Sequence, residues 1–363
     1  MIKIIREIKI IFFSIMMICS YGIMSNAAQD PVLYSNAPKG IKNAAKDGLS
    51  VAVIRNLGAD EHTALFLAGC KGEGKSLGID VDTFITYGDD AKFEDVFSQI
   101  LLGDYDGIIV SHGKDNAKEL VQKAVNEGFP VVTFDTVVKI PGVTTTFQDD
   151  KALADESMGA LVADFPDKTP KIIKMWIAGF PAMERREIIY KKYISQGKIQ
   201  ELETIGEVGD FSNVPGLNAD AIGSLLIKYP KGEIDAIWGS WDAFAAGAYT
   251  ALMENGRSEI KIYGIDVSNA DLQMMQSKNS PWVMTAAADA QLVGVINMRI
   301  LLKKIAGDAT PSTFEIPATT IFQKDLSGST TVETLANVYD TWGKTRSFNE
   351  SWMNVIREKV GSN

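Results

Sequence analysis

Two aspartates hold corresponding places in two similar stretches of this sequence. Asp106-Gly-Ile-Ile-Val-Ser111 leads, through a segment ending Glu127-Gly128, to Val131-Val-Thr-Phe-Asp135; Asp235-Ala-Ile-Trp-Gly-Ser240 leads, through one ending Asn255-Gly256, to Ile262-Tyr-Gly-Ile-Asp266. The closing aspartates follow their leading partners by 29 and 31 residues. Repeated carboxylates at equivalent places suit hydrogen bonding to one polar guest held between two halves. Covalent chemistry finds no footing, because there is no G-x-S-x-G and no independent acid–base pair. The two histidines, 50 residues apart, have no metal-ligand spacing. Gly69-Cys-Lys-Gly-Glu-Gly74-Lys75-Ser76 matches the phosphate-loop pattern G-x4-G-K-[ST]. A working phosphate loop must follow a strand and open a helix. This run instead closes a helical stretch and turns into a strand, so phosphate binding is not expected. Cys70 reads as a small buried apolar group.

The elements that must position the aspartates alternate strictly. Strands are expected at 50–55, 80–87, 107–111 and 130–135, with helices at 61–77, 93–102 and 117–127 between them. The second half repeats the scheme with strands at 171–177, 203–208, 236–239 and 261–266, and helices at 186–195, 217–228 and 244–255. Runs as apolar as Gly107–Ser111 and Ala236–Gly239 are buried on both faces, which calls for parallel sheets with helices on either side. The expectation is an α/β fold of two similar doubly wound lobes. Such sheets bind ligands beyond the carboxyl ends of their strands, where Asp135 and Asp266 lie. Residues 29–48 read as a polar, loose segment.

The chain has 363 residues, 36 Lys plus Arg against 46 Asp plus Glu, and a formal charge of -10. That balance disfavours a nucleic-acid partner, whose phosphates need a basic face. At the start, Lys3, Arg6 and Lys9 precede an apolar run from Ile10 to Met24 and then Ser25-Asn26-Ala27. This is the pattern of a secretory signal, residues 1–27, cleaved near Ala27. An apolar run of that length falls short of the roughly 20 residues needed to cross a bilayer. A periplasmic protein is expected, and no later stretch is apolar and long enough to span a membrane.

Further motifs align in order. VAVIRN with a helix ending SLG, EGFPVVTFD, AGFPAMERRE, AIWGSWDAFAAGAYTALMENG, IYGID and MTAAADAQLVG cover roughly residues 50–322. Together they resemble the periplasmic sugar-binding proteins of the ribose- and galactose-binding type, the type I solute-binding proteins of ABC importers. The resemblance implies two lobes joined by a three-segment hinge, with crossings near Gln148-Asp149, Ala288-Asp289 and Pro317-Ala318. The first lobe would be 45–148 with 289–317, and the second 149–288 with 318–363, including a C-terminal extension whose aromatics would pack along the second lobe.

The family's site residues carry over by position. Asp135 and Asp266 match its two aspartates, the alternative for each being a helix cap. Arg186 matches its arginine, with Arg185 the neighbour should the alignment slip by one. Trp241 stands where relatives carry asparagine, trading a hydroxyl contact for a stacking surface with one N–H donor; that departure argues against ribose itself. Trp238 is a further candidate or a core aromatic. Asp60, His62 and Thr63 occupy the place of an asparagine and paired phenylalanines, Phe180 would cover a ring face, and Asp289 would replace a glutamine. His112 could edge the cleft.

The implied function is capture of a monosaccharide or sugar alcohol between the lobes and delivery to an ABC transporter permease, with neither catalysis nor cofactor nor metal. A monomer is expected, with a chemoreceptor as a further partner. The rival on the same fold is an exported receptor for a quorum or chemotaxis signal. Replacing Arg186 or Asp266 by Ala is expected to abolish sugar binding and leave the apo melting temperature nearly unchanged.

Overall fold

The computed structural model describes residues 32–58, 61–209 and 212–362. The expected secretory leader and Asp60 lie outside the described residues.

Two six-stranded sheets form the two lobes. The first has the order β11-β5-β4-β3-β1-β2 and is parallel throughout, built from β1 (Ser50–Arg55), β2 (Asp80–Ile85), β3 (Gly107–Ser111), β4 (Val131–Phe134), β5 (Thr144–Gln148) and β11 (Thr313–Ile316). The second has the order β12-β10-β9-β8-β6-β7, from β6 (Lys171–Met175), β7 (Gln200–Ile205), β8 (Ala236–Gly239), β9 (Lys261–Ile265), β10 (Trp282–Ala287) and β12 (Thr319–Phe322). Only β12 runs antiparallel to its neighbour, β10. The chain passes from the first sheet to the second after Gln148, returns after Ala287, and crosses again between Ile316 and Thr319.

Each sheet is packed on both faces, which accounts for the apolar strands. In the first lobe α2 (Glu61–Ser76) and α10 (Ala290–Ala306) cover one face through Phe66, Cys70, Val293, Ile296 and Ile300. On the other face α3 (Asp90–Leu102) and α4 (Ala117–Asn126) contribute Phe93, Phe97, Val121 and Ala124. In the second lobe α5 (Asp150–Ala163) and α6 (Pro181–Ser195) bury Leu153, Met158, Leu161 and Tyr190. Opposite them α7 (Val214–Lys228) and α8 (Asp242–Glu254) bury Ile222, Phe244 and Ala248.

The crossing of α2 and α10 explains the first glycine of the phosphate-loop-like run. A Cβ on Gly69 would lie 2.0 Å from the Gln291 carbonyl oxygen, and one on Gly294 2.2 Å from that of Phe66. Gly69 thus lets two helix backbones touch. The whole run lies inside α2, with no strand leading into it, so the amides of Gly69 to Ser76 are helical and form no phosphate cradle. Cys70 is buried there, its thiol pushed up by burial and directed at the Gly294 carbonyl.

Two expectations about the ends differ from the structure. The segment expected to be loose contains α1 (Lys39–Ala44), and Tyr34 and Ile41 are core residues of the first lobe. The Tyr34 hydroxyl donates to the Gly78 carbonyl at 2.7 Å, so aromatic burial and a hydrogen bond outweigh the polar composition. The C-terminal extension does not lie wholly along the second lobe. Val332, Leu335 and Trp342 join the second lobe's core, whereas Met353 and Ile356 of α11 (Ser351–Gly361) join the first. Two ion pairs hold it there: Arg357 donates to Glu73 on α2, and Glu350 accepts from Lys303 on α10. Among the described residues no helix is long and apolar enough to cross a membrane.

Candidate ligand-binding cleft

The carboxyl ends of β3, β4 and β9 finish alike. His112, Asp135 and Asp266 each follow directly on a strand and take a left-handed backbone, with φ of 58°, 45° and 71°. That region costs any residue with a Cβ, though Asp and His tolerate it better than most. Glycine would relieve the strain and forfeit the polar group. Strain retained at three strand ends makes this the candidate site.

The second lobe answers with consecutive arginines on α6. Arg186 is fully buried: its Nε donates to Asp150 Oδ1 at 2.8 Å, its Nη1 to Asp266 Oδ2 at 3.1 Å and to the Ser240 carbonyl. Arg185 donates from Nε to the other oxygen of Asp150 at 2.8 Å. Its Nη2 reaches over the gap to Asp135 Oδ1 at 3.2 Å, and its guanidinium lies 5.1 Å above the Phe147 ring. Asp150, with no exposed side-chain surface, therefore clamps both arginines from the start of α5. Asp150 is the second residue beyond Gln148, so the first crossing itself orients both arginines.

A third guanidinium, Arg55 at the end of β1, completes the first lobe's wall. Its Nε donates to Thr63 Oγ1 at 2.8 Å and its Nη1 to Ser111 Oγ at 2.8 Å, with the ring nitrogens of His62 and His112 close by. Arg55, Arg185 and Arg186 thus stand against Asp135, Asp150 and Asp266, a balanced set that favours an uncharged guest over an ion. Burial, and after it the Asp150 carboxylate, push Asp135 up to about 7 against the pull of the arginines. Burial likewise raises Asp266, with Arg186 acting the other way. Gln148, at the first crossing, acts with Arg186 in lowering Asp266. Its buried Oε1 has no hydrogen-bond partner among the described residues.

The lobes also touch beside the gap. The Asn269 amide at the start of α9 (Asn269–Gln276) donates to Glu61 Oε1 at 2.9 Å, and Leu65 of α2 packs on the second lobe's core.

The structure gathers Asp135, Arg186, Asp266, His62 and Thr63 into this network, though Thr63 is buried and serves Arg55. Trp241 caps the start of α8 at the end of β8, half-buried, its ring edge-on to Phe244 at 5.5 Å. Phe180 caps the start of α6 and is 43% exposed. Two expected contacts are corrected. Trp238 has no exposed surface, stacks on Tyr190 at 5.0 Å and donates its indole N–H to Ser157, so it is a core aromatic. Asp289 caps α10: one oxygen accepts from the Gln291 and Leu292 amides and the other from Gly343, leaving it a structural hinge residue.

Sequence reasoning missed Arg55, Asp150 and Gln148 and named Arg185 only as a neighbour. A charge closing the apolar run SVAVIR and a second aspartate directly beyond a crossing were the available signals.

Residues 51–309 match the family model described as "Periplasmic binding protein domain". A solved sugar ABC transporter structure from Yersinia enterocolitica subsp. enterocolitica is 47% identical, covering 89% of this chain and 98% of that one, with a TM-score of 0.81. A 5-methylthioribose transporter solute-binding protein from Thermotoga lettingae, solved with 5-methylthioribose, is 26% identical over 89% of this chain and 99% of that one, with a TM-score of 0.79. The ribose import binding protein of Escherichia coli (strain K12) is 26% identical over 153 residues, 42% of this chain; the match spans 50% of that relative's length.

Proposed function

Given that this chain belongs to the periplasmic binding protein domain family, we propose that it captures a monosaccharide, sugar alcohol or close sugar derivative between its lobes and delivers it to the permease of an ABC importer. The relatives are named for sugar, ribose and 5-methylthioribose transport, which supports the reading. The observation that carries it is the cleft's hydrogen-bonding composition. Carboxylates and guanidinium groups from both lobes converge with near-balanced charge, and the buried Gln148 Oε1 calls for a donor, which a hydroxyl supplies. Trp241 and Phe180 offer aromatic surface for a ring face or an apolar substituent.

Closure is the mechanism. Contacts from both lobes are available to the guest only when the lobes meet, so binding draws the population toward the closed form. Export to the periplasm through the leader 1–27 and cleavage near Ala27 belong to the same proposal, as does a monomeric state.

The test is thermal-shift screening of the exported form against pentoses, hexoses, polyols and 5-methylthioribose, followed by equilibrium dialysis and recovery of the bound compound. A saturable shift with the compound recovered unchanged is expected. A panel without any shift, or recovery of a chemically altered compound, would overturn the reading.

A further inference from the structure

Arg55 has two imidazoles against its guanidinium. Nη2 lies 3.0 Å from His62 Nδ1 and Nη1 lies 3.3 Å from His112 Nδ1. A guanidinium has only N–H donors and no acceptor, so each Nδ1 must accept. At His112 a second donor agrees. Ser111 Oγ accepts from Arg55 Nη1 and lies 2.9 Å from the same Nδ1, so its own proton points there. A neutral imidazole that accepts at Nδ1 carries its hydrogen on Nε2.

His112 stays neutral, because burial first, and then the Arg55 charge and His62, hold it well below its ordinary value. Its ring is fixed edge-on to Phe134 at 5.4 Å, and His62 stacks on the same phenylalanine at 6.3 Å. His112 Nε2 then faces Asp135 Oδ2 at 3.9 Å, too far for a direct hydrogen bond. An oxygen about 2.8 Å from each would fit between them.

We propose that Arg55 is a positioning residue that locks His62 and His112 as their Nε2–H tautomers, so that His112 and Asp135 together read one hydroxyl of the guest. That hydroxyl accepts from His112 Nε2–H and donates to Asp135. A carbonyl, ether or deoxy carbon at the same place fails one or both partners, and leaving a buried group unpaired is what gives such sites their discrimination. The hydroxyl half rests on the cleft being a sugar site; the tautomer half does not.

The chain contains two histidines in all, so a protein labelled with 15N-histidine has two rings to assign. Long-range 1H–15N correlation at pH 7, without sugar, is expected to show both Nδ1 atoms unprotonated and both Nε2 atoms protonated, with His112→Gln identifying His62. In Arg55→Met, protonated or averaged Nδ1 signals should appear. Should that variant not fold, Arg55→Lys keeps a buried charge but replaces the two nitrogens that reach the two rings by one, and should release one of them. A protonated Nδ1 in the wild type, or variants that retain both locked tautomers, would overturn the lock.

For every sugar of the panel that the wild type binds, His112→Leu should weaken affinity at least tenfold. His112→Gln, which keeps an N–H near the position of Nε2, should weaken it less than threefold. Equal affinities for His112→Leu and wild type would sink the hydroxyl assignment. A panel without a binder would sink it together with the sugar reading, while the tautomer result would stand.

Discussion

Arg185 and Asp135 belong to different lobes and meet at 3.2 Å, so the chain's own side chains form an ion pair across the cleft. Arg185 is held in place by Asp150 as well, and it meets Asp135 Oδ1 while His112 Nε2 faces the other oxygen, Oδ2.

Replacing Arg185 with Met should favour open forms. Charge-assisted hydrogen bonds contribute about 1.5–3 kcal/mol each, so sugar affinity should fall roughly tenfold or more. The apo radius of gyration by small-angle X-ray scattering should rise. An unchanged radius with unchanged affinity would contradict a closing role for this pair.

Arg186→Ala should behave differently from the sequence-based expectation of an intact apo melting temperature. Arg186 has 2% relative exposure and compensates both Asp150 and Asp266. Removing one partner of a buried pair leaves an uncompensated charge, at a cost of about 3–5 kcal/mol. Urea unfolding of the apo variant should show that loss along with the loss of binding.

Asp135 makes stability depend on pH. Its folded value is pushed to about 7, against an unfolded value near ~3.9. Between those values the folded state holds a proton that the unfolded state has lost, so this contribution is present at low pH and is lost as pH rises through about 7. The melting temperature of Asp135→Asn relative to wild type should therefore rise from pH 5 to pH 8. A difference independent of pH would show that burial does not govern this carboxyl.

The two tryptophans near the end of β8 should separate cleanly. Trp238→Phe removes a buried hydrogen bond to Ser157 and should cost about 1–3 kcal/mol of apo stability with affinity preserved. Trp241→Ala should lower affinity, with a smaller effect on apo unfolding. Reversed outcomes would exchange their assigned places.

Much of the fold could be read directly because burial on both faces leaves a strong signature. Ser50–Arg55, Gly107–Ser111 and Ala236–Gly239 are strands with the expected bounds, each apolar nearly end to end. Asp135 and Asp266 were found through internal repetition, which reports strand ends without any knowledge of the cleft. Trp238 misled because an aromatic at a strand end can face inward or outward, and period two does not distinguish them in a strand buried on both sides. Asp289 misled because a cap and a ligand contact ask for the same carboxylate. Arg55 and Asp150 stayed hidden because their roles depend on partners distant in sequence: Ser111 lies 56 residues from Arg55, and Arg186 lies 36 from Asp150.

The C-terminal tail adds a strap across the pivot. Trp342 is seated in one lobe, whereas the carbonyls of Thr345 and Ser347 accept from Arg299 in the other, and the Gly343 amide is pinned to Asp289 at the axle. Only Gly343 and Lys344 span the distance, and an extended residue reaches roughly 3.3–3.6 Å. On the proposed closure mechanism, so short a leash would set a stop on how far the jaws part.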